Sequence, residues 1–261
     1  ALGLRVAVWV ASVPRQLPVV GVDTFDLSDG IAFVIAAALF ILLATRLRRV
    51  AGWVFAFILS IFIIGGMAML WGAFMPISTQ VFSGMIAFAT LAIWWLIRRV
   101  VVHDIVMCLA LAGIGGYVSQ SFTPITAVMI LLVLSFYDIL AVYRTRHMVV
   151  MAESMIRSRT IFGFVIPSEP GLLYDPLANV VAGGEHMVLG SGDVLLPLIL
   201  AGSLVRVSIP AAIVTAIASI IGLVIMYILF ARQTVRRPMA ALPPIATAAI
   251  IGYLITAFLN I

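Results

Sequence analysis

Two aspartates stand out because they lie inside apolar stretches of the chain. Asp138 is near the end of the stretch 124–143, and Asp193 is near the start of the stretch 188–205. A charged side chain at the centre of a bilayer costs at least about 2.5–3.5 kcal/mol on insertion scales, so such residues usually have a function. For either aspartate alone, the alternative is a polar contact between helices.

The sequence places both carboxylates at a similar membrane depth. Asp138 precedes Arg144 by six residues, which corresponds to about 9 Å of helix. Asp193 lies about five residues into its stretch, a depth of about 7–8 Å by the same rise. Because consecutive spans run in opposite directions, both side chains reach the same leaflet and can face each other.

A facing pair of carboxylates can divide the roles of acid and base. Two carboxylates that share a site cannot both ionise cheaply, so one keeps its proton while the other is an anion. The anion can take a proton from water, and the protonated partner can polarise a peptide carbonyl and help the amine leave. This chemistry needs no metal and no cofactor. His147 and His186 also lack partners at zinc-like spacing.

The composition indicates that membrane helices position this pair. Hydrophobic residues make up 64% of the chain and charged residues 10%, whereas a soluble domain carries about 25% charge. In the bilayer core, backbone polar groups must be satisfied within the segment, which helices achieve. We therefore predict an all-α, polytopic transmembrane bundle that forms a single domain over residues 1–261. The predicted spans are 31–45, 51–74, 81–97, 104–118, 124–143, 188–205, 209–231 and 239–260, and the shorter stretch 1–13 is the candidate for a ninth.

The arginines predict the orientation of this multi-pass bundle in the cell membrane. Every second connection between spans is rich in arginine, and such connections stay in the cytoplasm. The long loop 144–187 is then cytoplasmic, with the N-terminus inside and the C-terminus outside. The basic clusters are a topology signal rather than a nucleic-acid surface. They are Arg46, Arg48 and Arg49; Arg98 and Arg99; Arg144, Arg146, Arg157 and Arg159; and Arg232, Arg236 and Arg237.

Short motifs surround both aspartates. Tyr137 precedes Asp138, and its ring is either a site residue or an interfacial anchor. Asp193 ends the run Gly190-Ser191-Gly192-Asp193, whose glycines permit close backbone approach, as they do at an ordinary helix N-terminus. The last span opens with Pro238-Met239-Ala240-Ala241-Leu242-Pro243-Pro244. Three prolines here predict an irregular start that is buried in protein or lines a wet cavity, unless it is an ordinary loop-to-helix junction.

Together these motifs resemble those of the GxGD intramembrane aspartyl proteases, the presenilin and signal peptide peptidase group. That family has Tyr-Asp in one span, Gly-x-Gly-Asp in the next and Pro-Ala-Leu at the start of the last. Tyr137-Asp138 and Gly190–Asp193 match the first two motifs, and Ala241-Leu242-Pro243 matches most of the third. Ala240 stands where the family has proline, which predicts a more relaxed junction and weaker substrate docking. Pro243 and the cytoplasmic loop look more like presenilin, of an archaeal type.

The resemblance implies an intramembrane aspartic endopeptidase that cleaves the transmembrane helices of single-span proteins near the cytoplasmic side. It implies Asp138 and Asp193 as the catalytic pair, supported by Tyr137, Gly190, Ser191 and Gly192, with substrate contacts at Ala241, Leu242 and Pro243. It also implies that the unwound substrate adds as a β-strand to an edge of the enzyme. We expect that edge in Ile161–Ile166, around Val165, or in Val188-Leu189.

Other classes of protein remain as alternatives. A proton-coupled transporter or a cation channel could use the same aspartates, although transporter sites usually lie near the midplane between repeats and no repeat is evident. A prepilin-type peptidase shares Gly-x-Gly-Asp but lacks the terminal proline motif. Two further features are predicted to have no chemical role: His103-Asp104 as a solvated pair, and Gly65-Gly66 as a place of close helix packing.

Overall fold

The computed structural model describes residues 2–12, 48–75, 80–144, 147–181, 185–233 and 238–259. Within these ranges the chain forms nine α-helices and one two-stranded sheet, which confirms the helical class and adds a small β element to it. The predicted span 31–45 lies outside the described residues. The helices are α1 (Leu2–Ser12), α2 (Arg48–Gly72), α3 (Gln80–Leu96), α4 (Val100–Val118), α5 (Pro124–Ile139), α6 (His147–Arg157), α7 (Ser191–Ser203), α8 (Ile209–Ala231) and α9 (Leu242–Phe258); the strands are β1 (Gly163–Pro167) and β2 (His186–Gly190).

Most of these helices coincide with predicted spans. Helix α8 matches the prediction 209–231 at both ends. Among the described residues, four helical segments are long and apolar enough to cross a membrane, and α3 and α9 contribute shorter apolar helices. The four segments are Gly52–Gly72, Val100–Ser121, Pro124–Arg144 and Ile209–Ala231.

Two predicted boundaries were wrong, and both matter for the site. Helix α4 begins at Val100 rather than at residue 104, so Asp104 lies inside it. Residues 188–190 belong to β2, so α7 begins only at Ser191. An apolar run as short as this one fits a strand or a buried helix equally well.

Helices α5 and α8 begin where the sequence supplies caps. The Thr123 hydroxyl accepts a hydrogen bond from the Thr126 N–H at 3.2 Å, and Ser208 does the same for the Ala211 N–H at 3.4 Å. A proline follows each cap within the first two helical positions, where its missing N–H costs nothing. Each cap satisfies one of the helix donors that have no intrahelical partner.

Helix α7, which carries Asp193, lies at the centre of the bundle. It packs against α1, α4, α5, α8 and α9. Helix α4 contacts α1, α2 and α7, and glycines allow its close approach to α2. A Cβ on Gly66 would overlap the Ala110 backbone, and a Cβ on Gly113 would overlap the Gly66 backbone. The predicted packing role is therefore confirmed for Gly66, whereas a Cβ on Gly65 would meet nothing within 4 Å.

The sheet joins the two ends of the long loop. Strands β1 and β2 are antiparallel, with Gly163 opposite Gly190 and Val165 opposite Val188. One face packs on Leu177 and Val180 of the loop, and the other packs through Leu189 toward α8 and α9. Since β2 leads directly into α7, the position of the sheet fixes the start of the helix that carries Asp193.

Candidate active site

Asp138 lies in the last turn of α5 and is held by the start of α9. Its side chain is only 7% exposed. The Leu242 N–H donates a hydrogen bond to Asp138 Oδ2 at 3.2 Å, and the Ala241 amide lies close to the same carboxylate. A π-helical turn over Leu140–Arg144 follows α5, a local irregularity that is frequent at functional sites.

The start of α9 can contact Asp138 in this way because its first amides have no partner inside the helix. Residues 238–241 have no regular secondary structure, and α9 begins at Leu242. The first N–H groups of a helix have no intrahelical acceptor. Pro243 and Pro244 carry no backbone N–H and so cannot donate. The amides of Ala241 and Leu242 are therefore free to bind the carboxylate. The predicted irregular start of the last span is confirmed, and Ala240, 5% exposed, precedes both donors.

Asp193 is held by its own local sequence. It is the third residue of α7, whose N-cap is Gly190, and the Gly190 amide lies close to the Asp193 carboxylate. An N-cap amide beside the side chain of the third helical residue is the arrangement found in one half of a capping box. Pro197 lies inside α7 and cannot donate to the Asp193 carbonyl, so the helix is loosened at this residue.

The two carboxylates come together between α5 and α7, which pack against each other. They are close enough for their charges to interact. The extended backbone of 188–190 changes the predicted depth of Asp193, because a strand rises about 3.3 Å per residue rather than 1.5 Å. The geometry combines two interacting carboxylates, one of them almost fully buried, with backbone amides that orient each of them.

A family model described as signal-peptide peptidase, presenilin aspartyl protease matches residues 31–260. The chain belongs to this family. It is therefore an intramembrane aspartyl protease, a membrane-embedded hydrolase with several spans, and the family gives no support to a transporter or a channel. No curated protein matches the sequence.

Two solved structures have the same fold as this protease. Both are described as a presenilin family intramembrane aspartate protease, one in a C222 and one in a P2 crystal form. The first is 24% identical in sequence to this chain and has a TM-score of 0.61; the match covers 99% of this chain and 93% of the solved chain. The second is 23% identical in sequence and has a TM-score of 0.62; the match covers 99% of this chain and 95% of the solved chain.

The remaining predicted site residues of the protease differ in their placement. Ser191 is 9% exposed, and its N–H donates to the Phe162 carbonyl at 3.3 Å. Gly192 is exposed, and a Cβ there would meet nothing within 4 Å. Tyr137 is 43% exposed, and Pro243 is partly buried in the first turn of α9.

Val165 packs among apolar residues of the long loop. Its side chain is fully buried in a cluster with Ile161 and Leu177, and its N–H donates to Asp104 Oδ1 at 2.9 Å. The described part of the protease contains no group of three or more histidine, cysteine or acidic residues that could hold a metal ion.

The prediction of a solvated His103-Asp104 pair was wrong. His103 is fully buried and bridges Trp94 and the Gly163 carbonyl, and Asp104 binds the β1 backbone. Span length could have revealed this. A helix over 104–118 would be about 22 Å long at 1.5 Å per residue, well short of a hydrocarbon core of about 30 Å. The earlier start at Val100 places both residues inside the helix.

Proposed function

We propose that Asp138 and Asp193 are the catalytic pair, and that they hydrolyse peptide bonds within the transmembrane helices of single-span proteins. The observation that carries this proposal is the convergence of three separate motifs: a carboxylate from α5, a carboxylate from α7, and the amides of Ala241 and Leu242. A purely structural pair of aspartates would not need amides from a third element.

The pair works as one acid/base unit in which a single proton is shared. The ionised carboxylate takes a proton from water as the water oxygen bonds to the peptide carbonyl carbon, and the protonated carboxyl gives its proton to the carbonyl oxygen. When the tetrahedral intermediate collapses, the C–N bond breaks, the nitrogen receives a proton from the protonated carboxyl, and the ionised carboxylate takes a proton from a hydroxyl of the intermediate, which restores the shared proton of the pair. The products are a carboxyl and an amine.

The surrounding residues orient this unit. The amides of Ala241 and Leu242 fix Asp138, and the amide of Gly190 fixes Asp193, so that little reorganisation accompanies proton transfer. Ser191 ties the start of α7 to the residue before β1 through Phe162. Gly192 precedes Asp193 and a Cβ there would meet nothing within 4 Å, which leaves room at this turn, and Tyr137, Leu242 and Pro243 line the approach of the substrate.

The substrate adds as a strand to the outer edge of β2. Neighbouring residues of an antiparallel strand alternate between bonding the partner strand and pointing away from it. The Ser191 N–H donates to the Phe162 carbonyl, and the Ser168 N–H donates to the Glu185 carbonyl. These two bonds show that the even-numbered residues of β1 and the odd-numbered residues of β2 form the hydrogen-bonded pairs. The Val188 N–H and C=O therefore point away from β1, and no third strand lies beyond β2 in the described ranges. A strand bound at Val188 continues past Gly190 to Asp193.

Replacing Val188 with proline tests this edge. Val188→Pro removes the N–H that would bond the substrate, and an edge strand tolerates proline. Because a backbone hydrogen bond is worth about 0.5–1.5 kcal/mol, kcat/KM should fall by up to about tenfold. Val188→Ala, which keeps the N–H, is the matched control. Equal rates for the two variants would place the substrate elsewhere.

The orientation follows from the arginines. The protease is one integral membrane domain, the loop 144–187 is cytoplasmic and the C-terminus is outside, so cleavage occurs near the cytoplasmic face. Sealed inverted vesicles should therefore expose the loop to an added soluble protease, and right-side-out vesicles should protect it. Protection in inverted vesicles would reverse the assignment.

Cleavage by the purified protease tests the catalytic pair. A single-span substrate in detergent should be cut within its helix. Asp138→Asn and Asp193→Asn should each slow cleavage by at least about a thousandfold, because removing one member of a catalytic unit costs about as much as removing all of them. Asp175→Asn, in the loop, is the control and should cleave normally. Persistent cleavage by either Asn variant would exclude that residue from the chemistry.

A further inference from the structure

The start of α4 and the residues just before it hold the loop between the two aspartates at several points. The Val100 N–H donates to the Asp175 carbonyl at 3.0 Å, and the Leu177 N–H donates to the Arg98 carbonyl at 2.9 Å. Two side-chain contacts reach β1: His103 Nε2 lies 2.9 Å from the Gly163 carbonyl oxygen, and Asp104 Oδ1 accepts from the Val165 N–H at 2.9 Å. The backbone contacts hold the loop, while the side-chain contacts hold the strand.

The tautomer of His103 follows from its neighbours. The Trp94 Nε1–H lies 3.0 Å from His103 Nδ1, and an indole nitrogen can only donate. Nδ1 is therefore the acceptor, so the ring hydrogen is on Nε2 and is donated to the Gly163 carbonyl. Both ring nitrogens of this fully buried side chain are satisfied, and α3, α4 and β1 are linked in one chain of hydrogen bonds.

Both side-chain contacts lie on the same edge of β1. Gly163 and Val165 are two of the three odd-numbered residues of the strand, and their backbone groups point away from β2. An uncovered strand edge is a template for pairing with another extended segment. In this sheet, the edge of β1 is occupied by His103 and Asp104, which leaves the edge of β2 for a substrate.

We propose that His103 and Asp104 are positioning residues that close the outer edge of β1, so that a substrate strand adds only to β2, beside Asp193. This inference rests on the proposed strand addition. A substrate on β1 would lie three strand spacings, about 14 Å, from the productive position, out of reach of the catalytic pair. The same contacts hold the sheet, and through β2 they fix the start of α7.

Asp104 offers the sharper pair of variants. Asp104→Leu removes the acceptor of the Val165 N–H, whereas Asp104→Asn keeps a neutral acceptor. Since a misplacement of about 1 Å can cost about a hundredfold in rate, we expect Asp104→Leu to lower kcat by about tenfold or more. We also expect its cleavage positions, read by mass spectrometry of the products, to spread over neighbouring bonds. Asp104→Asn should keep the parental positions with kcat within about threefold, because a neutral hydrogen bond retains about half the strength.

A second pair and a packing control separate positioning from general destabilisation. His103→Gln can still donate to the Gly163 carbonyl and should cleave at the parental positions, while His103→Leu should behave like Asp104→Leu. Val106→Ala removes a buried side chain of α4, 4% exposed, without a polar contact to the sheet. It should lower thermal stability and leave the cleavage positions unchanged.

Hydrogen exchange of the resting protease tests the closed edge of β1 independently of turnover. Peptides covering Gly163–Pro167 should exchange faster in Asp104→Leu than in Asp104→Asn or Val106→Ala. Parental exchange together with parental cleavage positions in Asp104→Leu would overturn the proposal, even if Asp138→Asn is inactive and the catalytic pair stands. Full cleavage by Asp138→Asn would instead overturn the proposed function, and the exchange data would still report on the closed edge.

Discussion

Asp138 and Asp193 are held by backbone amides that come from very different distances along the chain. The Leu242 amide that binds Asp138 lies 104 residues away, on the far side of α7 and α8 in sequence. The Gly190 amide that lies beside the Asp193 carboxylate is three residues before it in the chain. One carboxylate thus depends on the packing of α5 against α9, and the other depends on a single turn.

This difference means that each aspartate can be disturbed separately. A change at the start of α9 alters Asp138 and leaves the local turn at Asp193 intact. A change in Gly190–Gly192 does the reverse. The distant contact orients an almost fully buried carboxylate through two amides, so its loss should have the larger effect on catalysis.

Leu242→Pro should have the largest effect among changes outside the two aspartates. It removes the N–H that donates to Asp138 Oδ2, and proline is tolerated at the first position of a helix. Misplacement of a catalytic group by about 1 Å can lower the rate by about a hundredfold. We therefore expect kcat to fall by about a hundredfold while helix α9 stays folded. Steady-state cleavage and circular dichroism would measure both.

Two variants control this experiment. Leu242→Ala keeps the amide and loses a side chain that is 3% exposed, which should cost about 2–5 kcal/mol of stability but much less of kcat. Ala240→Pro restores the family proline and removes neither donor to Asp138. If Leu242→Ala is as slow as Leu242→Pro, then the side chain rather than the amide supports Asp138.

Gly190→Ala should have a smaller effect, because it keeps the amide and only crowds the carboxylate. A Cβ at residue 190 would lie 3.2 Å from Asp193 Oδ2, so Asp193 must move by a few tenths of an ångström. We expect kcat to fall several-fold, roughly three- to tenfold, in proportion to this displacement. Thermal unfolding should be nearly unchanged, since Gly190 is exposed. An unaltered kcat would show that the local turn does not limit the position of Asp193.

The same contrast between local and distant contacts explains what the sequence could predict. The closeness of Asp138 and Asp193 followed from membrane depth and alternating span direction, and the ends of α8 followed from hydrophobicity and its caps. The irregular start of the last span followed from its prolines. The contacts between the backbone amides of this segment and the Asp138 carboxylate could not be derived, because they depend on how α5 packs against α9.

The errors have a similar origin. Val188–Gly190 was assigned to a helix because a short apolar run carries no period that separates strand from helix, and its pairing with β1 is a contact across the long loop. His103 was expected in solvent because it lies at a junction, just before the predicted span 104–118. Its partners Trp94 and Gly163 lie on other elements, and a single sequence does not bring them together.

The most direct test of the catalytic pair is the binding of a peptide whose scissile bond is replaced by a hydroxyethylene group. Its hydroxyl stands in for the tetrahedral intermediate, and such analogues bind about 10²–10⁸-fold more tightly than substrates. If Asp138 and Asp193 both contact the hydroxyl on the same tetrahedral carbon, then Asp138→Asn and Asp193→Asn should each weaken binding by at least about a hundredfold. Asp175→Asn should leave the affinity unchanged. Parental affinity in either Asn variant would contradict the assignment of the two aspartates as one catalytic unit.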